Sequence, residues 1–306
     1  MKTISRGVYF LANDAIFDLA IAFLNSFRKH NPNIPLCLIP YNADFSRLKG
    51  LQNIYKFSIY SNSEALNLCD EISVRFHNHI TGQYRKLVMW NGEFDEFIYI
   101  DTDTVVLGNV GFVFNFIFDY GFVTSHSNIH MILKFVWKKS IYKTGKLQRE
   151  QIEYATNTGF IASKTGVLTL AGIKNKTEQA IELLPHMVLF CMEQPFINYL
   201  IVTSGYRYTS MYVLWKAGSC PEALECWAGA IGKRLKDGQI ITGSKKPKVL
   251  LMHWAGKWQV TSIDKAIFFT LVALGLKKKS DVPRIRYFMP YKKLWKYYQT
   301  QQGPAA

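Results

Sequence analysis

Phe97-Ile98-Tyr99-Ile100-Asp101-Thr102-Asp103-Thr104-Val105-Val106-Leu107 is the stretch that decides the fold. Four apolar or aromatic residues run into two aspartates, and β-branched residues resume at once. Such a run, rich in Ile, Tyr and Val, reads as a strand buried on both faces in the middle of a sheet. Asp101 and Asp103 lie two apart, so on an extended chain their side chains point the same way. Two carboxylates at one spot repel each other, and burial makes the repulsion worse. A cation between or beside them removes that cost. Hard oxygen donors suit Mg²⁺ or Mn²⁺, and Mg²⁺ completes its shell with phosphate oxygens and water. The stretch therefore predicts a divalent-cation site at a strand end, holding a phosphate-bearing ligand. A lone Asp-x-Asp is more often a solvated loop, but the apolar flanks on both sides argue against a polar surface loop here.

Composition sets the bounds. The 306 residues are 49% hydrophobic and 15% aromatic, ample for a large core and unlike a disordered chain. Cys37, Cys69, Cys191, Cys220 and Cys226 are scattered, and none shows zinc spacing. A reduced, cytoplasmic setting is expected. The apolar stretch Val8 to Ala12 is too short for a signal-peptide core. The longest apolar run, Ala266 to Leu276, falls short of the roughly 20 residues that span a membrane. The net charge of +15 is unevenly placed. Residues 1–232 hold 21 Lys+Arg against 19 Asp+Glu, a net of +2, and residues 233–306 hold 16 against 3, a net of +13. The asymmetry points to a local anionic partner.

Working outward toward the N-terminus, Val8 to Ala12 is a strand that ends at Asn13 and Asp14, either of which can cap a helix. Ile16, Ala20, Phe23 and Phe27 follow at helical spacing, and the helix should stop near Asn31-Pro32. Pro35 to Pro40 is a second strand. The unit is β-α-β with parallel strands, and it lacks the glycine fingerprint of a dinucleotide site. Residues 41–80 carry weak signals, and Tyr84 to Trp90 reads as a helix ahead of the aspartate strand. Gly108-Asn109 turns the chain after that strand. A basic segment follows, with Lys134, Lys138, Lys139, Lys143 and Lys146, and no function is read from it. Toward the C-terminus, Asn157-Thr158-Gly159 precedes a short strand, Glu193-Gln194-Pro195 opens a helix, and an apolar strand ends in His253, a good ligand for a borderline metal. At the far end Tyr291, Leu294, Trp295 and Tyr298 fall at i, i+3, i+4 and i+7 with Lys292, Lys293 and Lys296 on the other side. A basic helix with an aromatic face suits an anionic membrane surface. The alternative is a helix packed on the body with its lysines outward.

Tyr99-Ile100-Asp101-Thr102-Asp103-Thr104-Val105-Val106 resembles the DxD strand of GT-A glycosyltransferases, and most of all the retaining family that includes glycogenin and the lipopolysaccharide galactosyltransferases. The resemblance implies an α/β fold of Rossmann-like GT-A type, with a mixed central sheet flanked by helices. It would occupy residues 1–262, followed by a basic, aromatic tail over 263–306. It implies a metal site of Asp101, Asp103 and His253 holding Mn²⁺ or Mg²⁺ against the diphosphate of a nucleotide sugar, a UDP-sugar by preference. Ala12, Asn13 and Asp14 would meet the nucleotide base, with Thr102 between the two aspartates. Arg85 or Lys86 would reach the diphosphate, as would Gly256 and Lys257. Asn157, Thr158 and Gly159 would bind donor-sugar hydroxyls, and Gln194 would flank the anomeric carbon. Glu193 and Pro195 depart from the family's acidic residues there, and Lys257 sits two residues early.

The implied activity is sugar transfer to a glycan or lipid-linked acceptor with retention, Asp103 and Gln194 carrying the catalysis. The setting is the cytoplasm, with the tail docked on the inner face of a membrane and no nucleic acid as partner. Two other classes compete. A nucleotidyltransferase would show a Gly-rich basic loop near residues 7–20, which is missing. A non-catalytic membrane- or nucleic-acid-binding protein would use only the basic tail.

Overall fold

The computed structural model describes residues 3–220, 224–227, 234–236, 239–241, 248–255 and 292–303, the segments 234–236 and 239–241 and residues 224 and 292 by backbone alone. Twelve strands are found among these residues: β1 Arg6–Ala12, β2 Leu36–Pro40, β3 Phe57–Ile59, β4 Glu96–Ile100, β5 Thr104–Val106, β6 Phe122–Thr124, β7 Phe160–Lys164, β8 Tyr208–Ser210, β9 Leu224–Trp227, β10 Arg234–Lys236, β11 Gln239–Ile241 and β12 Val249–His253. Seven of them form one mixed sheet in the order β3-β2-β1-β4-β7-β6-β8. β3, β2, β1 and β4 run parallel, and β7 lies antiparallel to both β4 and β6. A second sheet has the order β5-β12-β9, and β10 pairs with β11 as an antiparallel ribbon.

The sheet is buried on both sides, and the strand alternation shows it. Tyr9, Leu11, Phe97 and Tyr99 pack into one core, against Tyr84, Trp90, Ile161 and Phe196. Val8, Phe10, Ile98 and Ile100 pack into the other, against Phe23, Phe27 and Phe160. Beyond their first residues, Arg6 and Glu96, which pair at the open end, β1 and β4 are apolar at every position because neither face there meets water. The helix Phe17–His30 joins β1 to its parallel neighbour β2 as the spacing of Ile16, Ala20, Phe23 and Phe27 predicts. It ends at Asn31, the residue before Pro32. Arg28, buried near its end, donates to the carbonyls of Ile34 (2.7 Å), Tyr55 (2.7 Å) and Lys56 (2.8 Å) and so locks the crossover.

The deciding stretch is not one strand. β4 stops at Ile100, residues 101–103 turn, and β5 begins at Thr104 in the other sheet. The β-branched residues on both sides made the run look continuous, but β5 pairs antiparallel with β12 rather than continuing the main ladder. The two aspartates therefore sit where the chain crosses from one sheet to the other. The helix expected at Tyr84–Trp90 is a 3-10 helix, Gly82–Asn91, buried along most of its length. Residues 41–80 are more ordered than their pattern suggests, with β3 and the helix Ser63–His77 among them. No helix among the described residues is long and apolar enough to cross a membrane.

The tail expectation needs a correction in its described part. The helix Lys292–Gln299 lies on the helix Phe17–His30. Leu294 and Tyr298 are 2% exposed. Buried Asn25 donates to the carbonyls of Tyr298 (2.8 Å) and Gln301 (3.0 Å), and the Tyr298 hydroxyl meets His30 Nε2 at 3.2 Å. Lys29 sits over the Tyr297 ring at 5.1 Å. Leu294 and Tyr298 are occupied by the body, so they do not present themselves to a membrane, while Lys293 and Lys296 point outward as the packed alternative requires. The basic run at 277–286 and Tyr291 lie outside the described residues.

Candidate active site

The turn after β4 is fixed from three directions. Asp101 N donates to the Gly159 carbonyl (2.8 Å), Trp254 N donates to the Asp103 carbonyl (2.9 Å), and Thr102 Oγ1 donates to the Leu11 carbonyl (2.7 Å). This pins the ends of β1, β7 and β12 to one point. Thr102 thereby turns its side chain into the scaffold, between two carboxylates that turn out of it.

His253 Nε2 lies 3.1 Å from Asp103 Oδ1 and 3.8 Å from Asp101 Oδ2. One ligand atom from each of the three residues falls within 4.8 Å of the others, a spacing that a single cation can bridge. The imidazole is 2% exposed, and the two carboxylates are about a quarter exposed (24% and 25%). The cluster is walled by protein on one side and open on the other. Gly159 shows how tight the wall is. A Cβ there would stand 2.5 Å from His253 Cε1 and 2.9 Å from Asp101 Oδ2, distances that real side chains do not reach. The glycine of the Asn-x-Gly segment is needed because backbone and imidazole pass each other at that point. Two carboxylates and an imidazole form a mixed O,O,N donor set that fits Mn²⁺ well and Mg²⁺ by its oxygens.

Behind His253 stands a residue that sequence reasoning missed. Glu225 in β9 bonds His253 Nδ1 through Oε1 and takes the Ser125 hydroxyl on Oε2. Burial pushes this carboxyl up, but His253 and His126 beside it outweigh burial and hold it well below the usual carboxylate range. Burial likewise disfavours His253⁺, and Asp103 and Glu225 overcome it, so the imidazole's pKa rises. A metal-ligating histidine commonly gives its other nitrogen to a carboxylate, which fixes ring and tautomer. Leu224-Glu225-Cys226-Trp227 offers no signal of this by itself, being a lone acid in a short strand.

The opposite side of Asp101 is closed. Lys86 Nζ lies 2.9 Å from Asp101 Oδ1 and 2.6 Å from Glu193 Oε1. Tyr99 OH donates to Asp101 Oδ1 at 2.7 Å, and Thr158 Oγ1 donates to Glu193 Oε1 at 3.2 Å. Burial opposes the Lys86 charge, but Asp101 and Glu193 more than offset it, so Lys86 stays an ammonium. Burial pushes the Glu193 carboxyl up, with Lys86 pulling the other way. Just before Glu193, Met192 holds a left-handed backbone (φ 53°), rare for a residue with a side chain and a frequent mark of functional sites.

The structure sorts the sequence-derived residues. It brings Asp101, Asp103, His253, Lys86, Thr158 and Gly159 together, with Glu193 as a further member. Gln194 joins them through its Oε1, which accepts from Thr158 N at 3.4 Å. Asn157 accepts from Gly159 N on its Oδ1 (2.7 Å) and so shapes the loop. Arg85 belongs elsewhere. It makes two bonds to Asp70 (2.8 and 2.6 Å) and one to the Pro40 carbonyl (3.1 Å), so of the two adjacent basic residues it is Lys86 that faces Asp101. Asp14 is likewise committed, its two oxygens taking the Arg47 and Leu48 amides at 2.8 and 3.0 Å. Ala12 is fully buried at the end of β1, and Asn13 beside it is 9% exposed. Gly256 and Lys257 lie outside the described residues.

No protein-family model matches the chain, and no curated protein matches it in sequence. Solved structures do. The bifunctional glycosyltransferase WbbM in its apo form superposes with a TM-score of 0.54 at 13% identity, covering 88% of this chain and 52% of that one. The glycosyltransferase GlyE of Streptococcus pneumoniae gives 0.51 at 10%, covering 98% and 61%. The galactosyltransferase LgtC, solved with donor and acceptor sugar analogues, gives 0.55 at 13%, covering 88% and 95%. The chain thus spans between half and two thirds of the length of the first two and nearly all of the third. At these identities the likeness establishes the fold, which is the GT-A type that the deciding stretch implied.

Proposed function

We propose that this protein is a metal-dependent glycosyltransferase that moves a sugar from a nucleotide diphosphate donor, UDP-linked by preference, to a glycan or lipid-linked acceptor. The observation that carries the reading is the convergence of Asp101, Asp103 and His253 on one partly open point, beside a glycine that leaves no room for a side chain. The fold shared with glycosyltransferases supports it. Asp101, Asp103 and His253 would hold Mn²⁺ or Mg²⁺, which when bound supplies Lewis-acid stabilisation of charge on a leaving diphosphate.

The other roles fall to the chain itself. Glu225 keeps the His253 ring in place with Nε2 toward the aspartates. Lys86 keeps a permanent positive charge beside Asp101, where it can counter phosphate charge. Thr158, Asn157 and Gln194 line the sugar side with donors and acceptors. Glu193 is buried and bonded by Lys86 and Thr158. That engagement favours a front-face reaction with retention over a covalent glycosyl intermediate. In that reaction the acceptor oxygen bonds the anomeric carbon as the bond to the phosphate oxygen breaks, and the acceptor proton passes to the leaving phosphate. The setting we propose is the cytoplasm.

The test is donor hydrolysis with Mn²⁺ across UDP-, GDP- and dTDP-sugars. We expect one UDP-sugar to be turned over, and Asp103→Asn to lower its rate by about 100-fold or more, the scale on which loss of preorganised charge stabilisation acts. Near-normal turnover by Asp103→Asn would contradict the assignment.

A further inference from the structure

Residues 120–149 contain five lysines, one arginine and no acid. Their apolar side chains are not all spent on the core, for Met131 is 53% exposed, Phe135 44% and Tyr142 45%. The segment runs beside residues 186–190. Lys138 N donates to the His186 carbonyl (2.8 Å), Val188 N donates to the Val136 carbonyl (3.1 Å), and Trp137 bridges Met187 in antiparallel fashion. This pairing sets the Phe135 and Phe190 rings edge to face, 6.1 Å apart at 80°. Phe190 is 71% exposed. Two adjoining phenyl rings left open to water mark a place where something apolar lands.

The ring pair is tied to the reaction centre by one side chain. Gln194 Nε2 donates to the Phe135 carbonyl at 3.1 Å, while its Oε1 accepts from Thr158 N. The next residue back, Glu193, is bonded to the Lys86 that meets Asp101. The backbone that carries the Phe135 ring is therefore joined through Gln194 to the Thr158 and Glu193 side of the centre. The lysines supply exposed charge on the same segment. Lys138 is held by the Pro185 carbonyl and Lys146 by Glu182. Among the described residues, Lys134, Lys139 and Lys143 have no acidic partner.

We infer that Phe135 and Phe190 are a stacking platform for a sugar ring of the acceptor, and that this acceptor is acidic, its phosphate or carboxylate drawn by Lys134 and the lysines that follow. The inference rests on the transferase reading above. A pyranose has a flat face of C–H groups that lies well on a phenyl ring, and its rim of hydroxyls can reach Gln194. An acid-free basic segment raises the local concentration of anions and disfavours cationic acceptors. A membrane would meet the same lysines, but it needs a broad apolar face rather than a pair of rings beside a polar centre.

The experiment uses the full chain and saturation-transfer NMR with three probes: maltose, maltose 1-phosphate and cellobiouronic acid. Both acidic probes should bind roughly two- to five-fold tighter than maltose at low salt, with the advantage fading as salt rises. Phe190→Ala should weaken all three by roughly five-fold, and it should fold normally because that side chain is exposed. Lys134→Gln should shrink the preference for the acidic probes and leave maltose where it was. Calorimetry of UDP with Mn²⁺ on the same wild-type sample keeps the two readings apart. UDP binding together with equal probe binding by wild type and Phe190→Ala, or no probe binding at all, overturns the platform alone. No UDP binding by the wild type overturns the transferase reading beneath it. Sedimentation of the wild type, but not Phe190→Ala, with phosphatidylglycerol vesicles also overturns the platform, in favour of a lipid surface.

Discussion

Asp103 and Glu193 are carboxylates of one centre held under opposite rules. Asp103 is about a quarter exposed and faces His253 across 3.1 Å, with space on its outer side. Glu193 is buried, and Lys86 at 2.6 Å and Thr158 at 3.2 Å already satisfy it. The open half can still take a cation. The closed half has its cation built in, as a lysine. The contrast teaches that acids close in space do not form one binding site. Burial and existing partners decide which of them is left to bind a ligand and which holds the frame.

The largest expected effect breaks the closed half. Lys86→Met leaves Glu193 and Asp101 facing each other without compensation, and urea unfolding should show a loss of about 3–5 kcal/mol. Adding Glu193→Gln to that variant should return most of the stability. If Lys86→Met alone were as stable as the parent, the closed half would not be held by this pair. The next variant presses on the seam between the halves. In Gly159→Ala the new methyl clashes with the His253 ring and Asp101 together. Thermal melting should register about 1–3 kcal/mol of overpacking. Mn²⁺ affinity should fall with it, about tenfold for each 1.4 kcal/mol that lands on the ligands. The smallest effect sharpens the open half from behind. Glu225→Gln keeps the shape of the His253 support and removes its charge, so Mn²⁺ affinity should fall about 10–100-fold. An unchanged affinity in calorimetry would leave Glu225 a packing residue only.

How much of this was legible in the sequence depended on how local each signal was. The apolar run into Asp-x-Asp, the Asn-x-Gly turn and the strand ending in His253 are local patterns, and together they marked the fold and the open half. Glu225 was not legible, because a lone acid in a strand says nothing until its histidine partner is placed 28 residues away. The break between β4 and β5 was hidden because β-branched residues flank it on both sides. Only pairing with β12 shows that the second piece belongs to another sheet. Arg85 and Lys86 could not be separated, since which neighbour faces inward depends on the phase of a 3-10 turn rather than on residue type. The tail helix showed its aromatic face clearly. What covers that face, the helix Phe17–His30, was beyond any local pattern.

The central claim is that Asp101, Asp103 and His253 hold one divalent cation for a nucleotide diphosphate. Electron paramagnetic resonance of Mn²⁺ titrated into the protein with UDP tests it most directly. The account predicts one bound Mn²⁺ per chain, an affinity about 100-fold or more weaker in Asp103→Asn, a loss of roughly 2.8 kcal/mol, and phosphorus hyperfine coupling that places the ion on the diphosphate. Equal Mn²⁺ binding by the parent and Asp103→Asn, or a bound ion without that coupling, would contradict it.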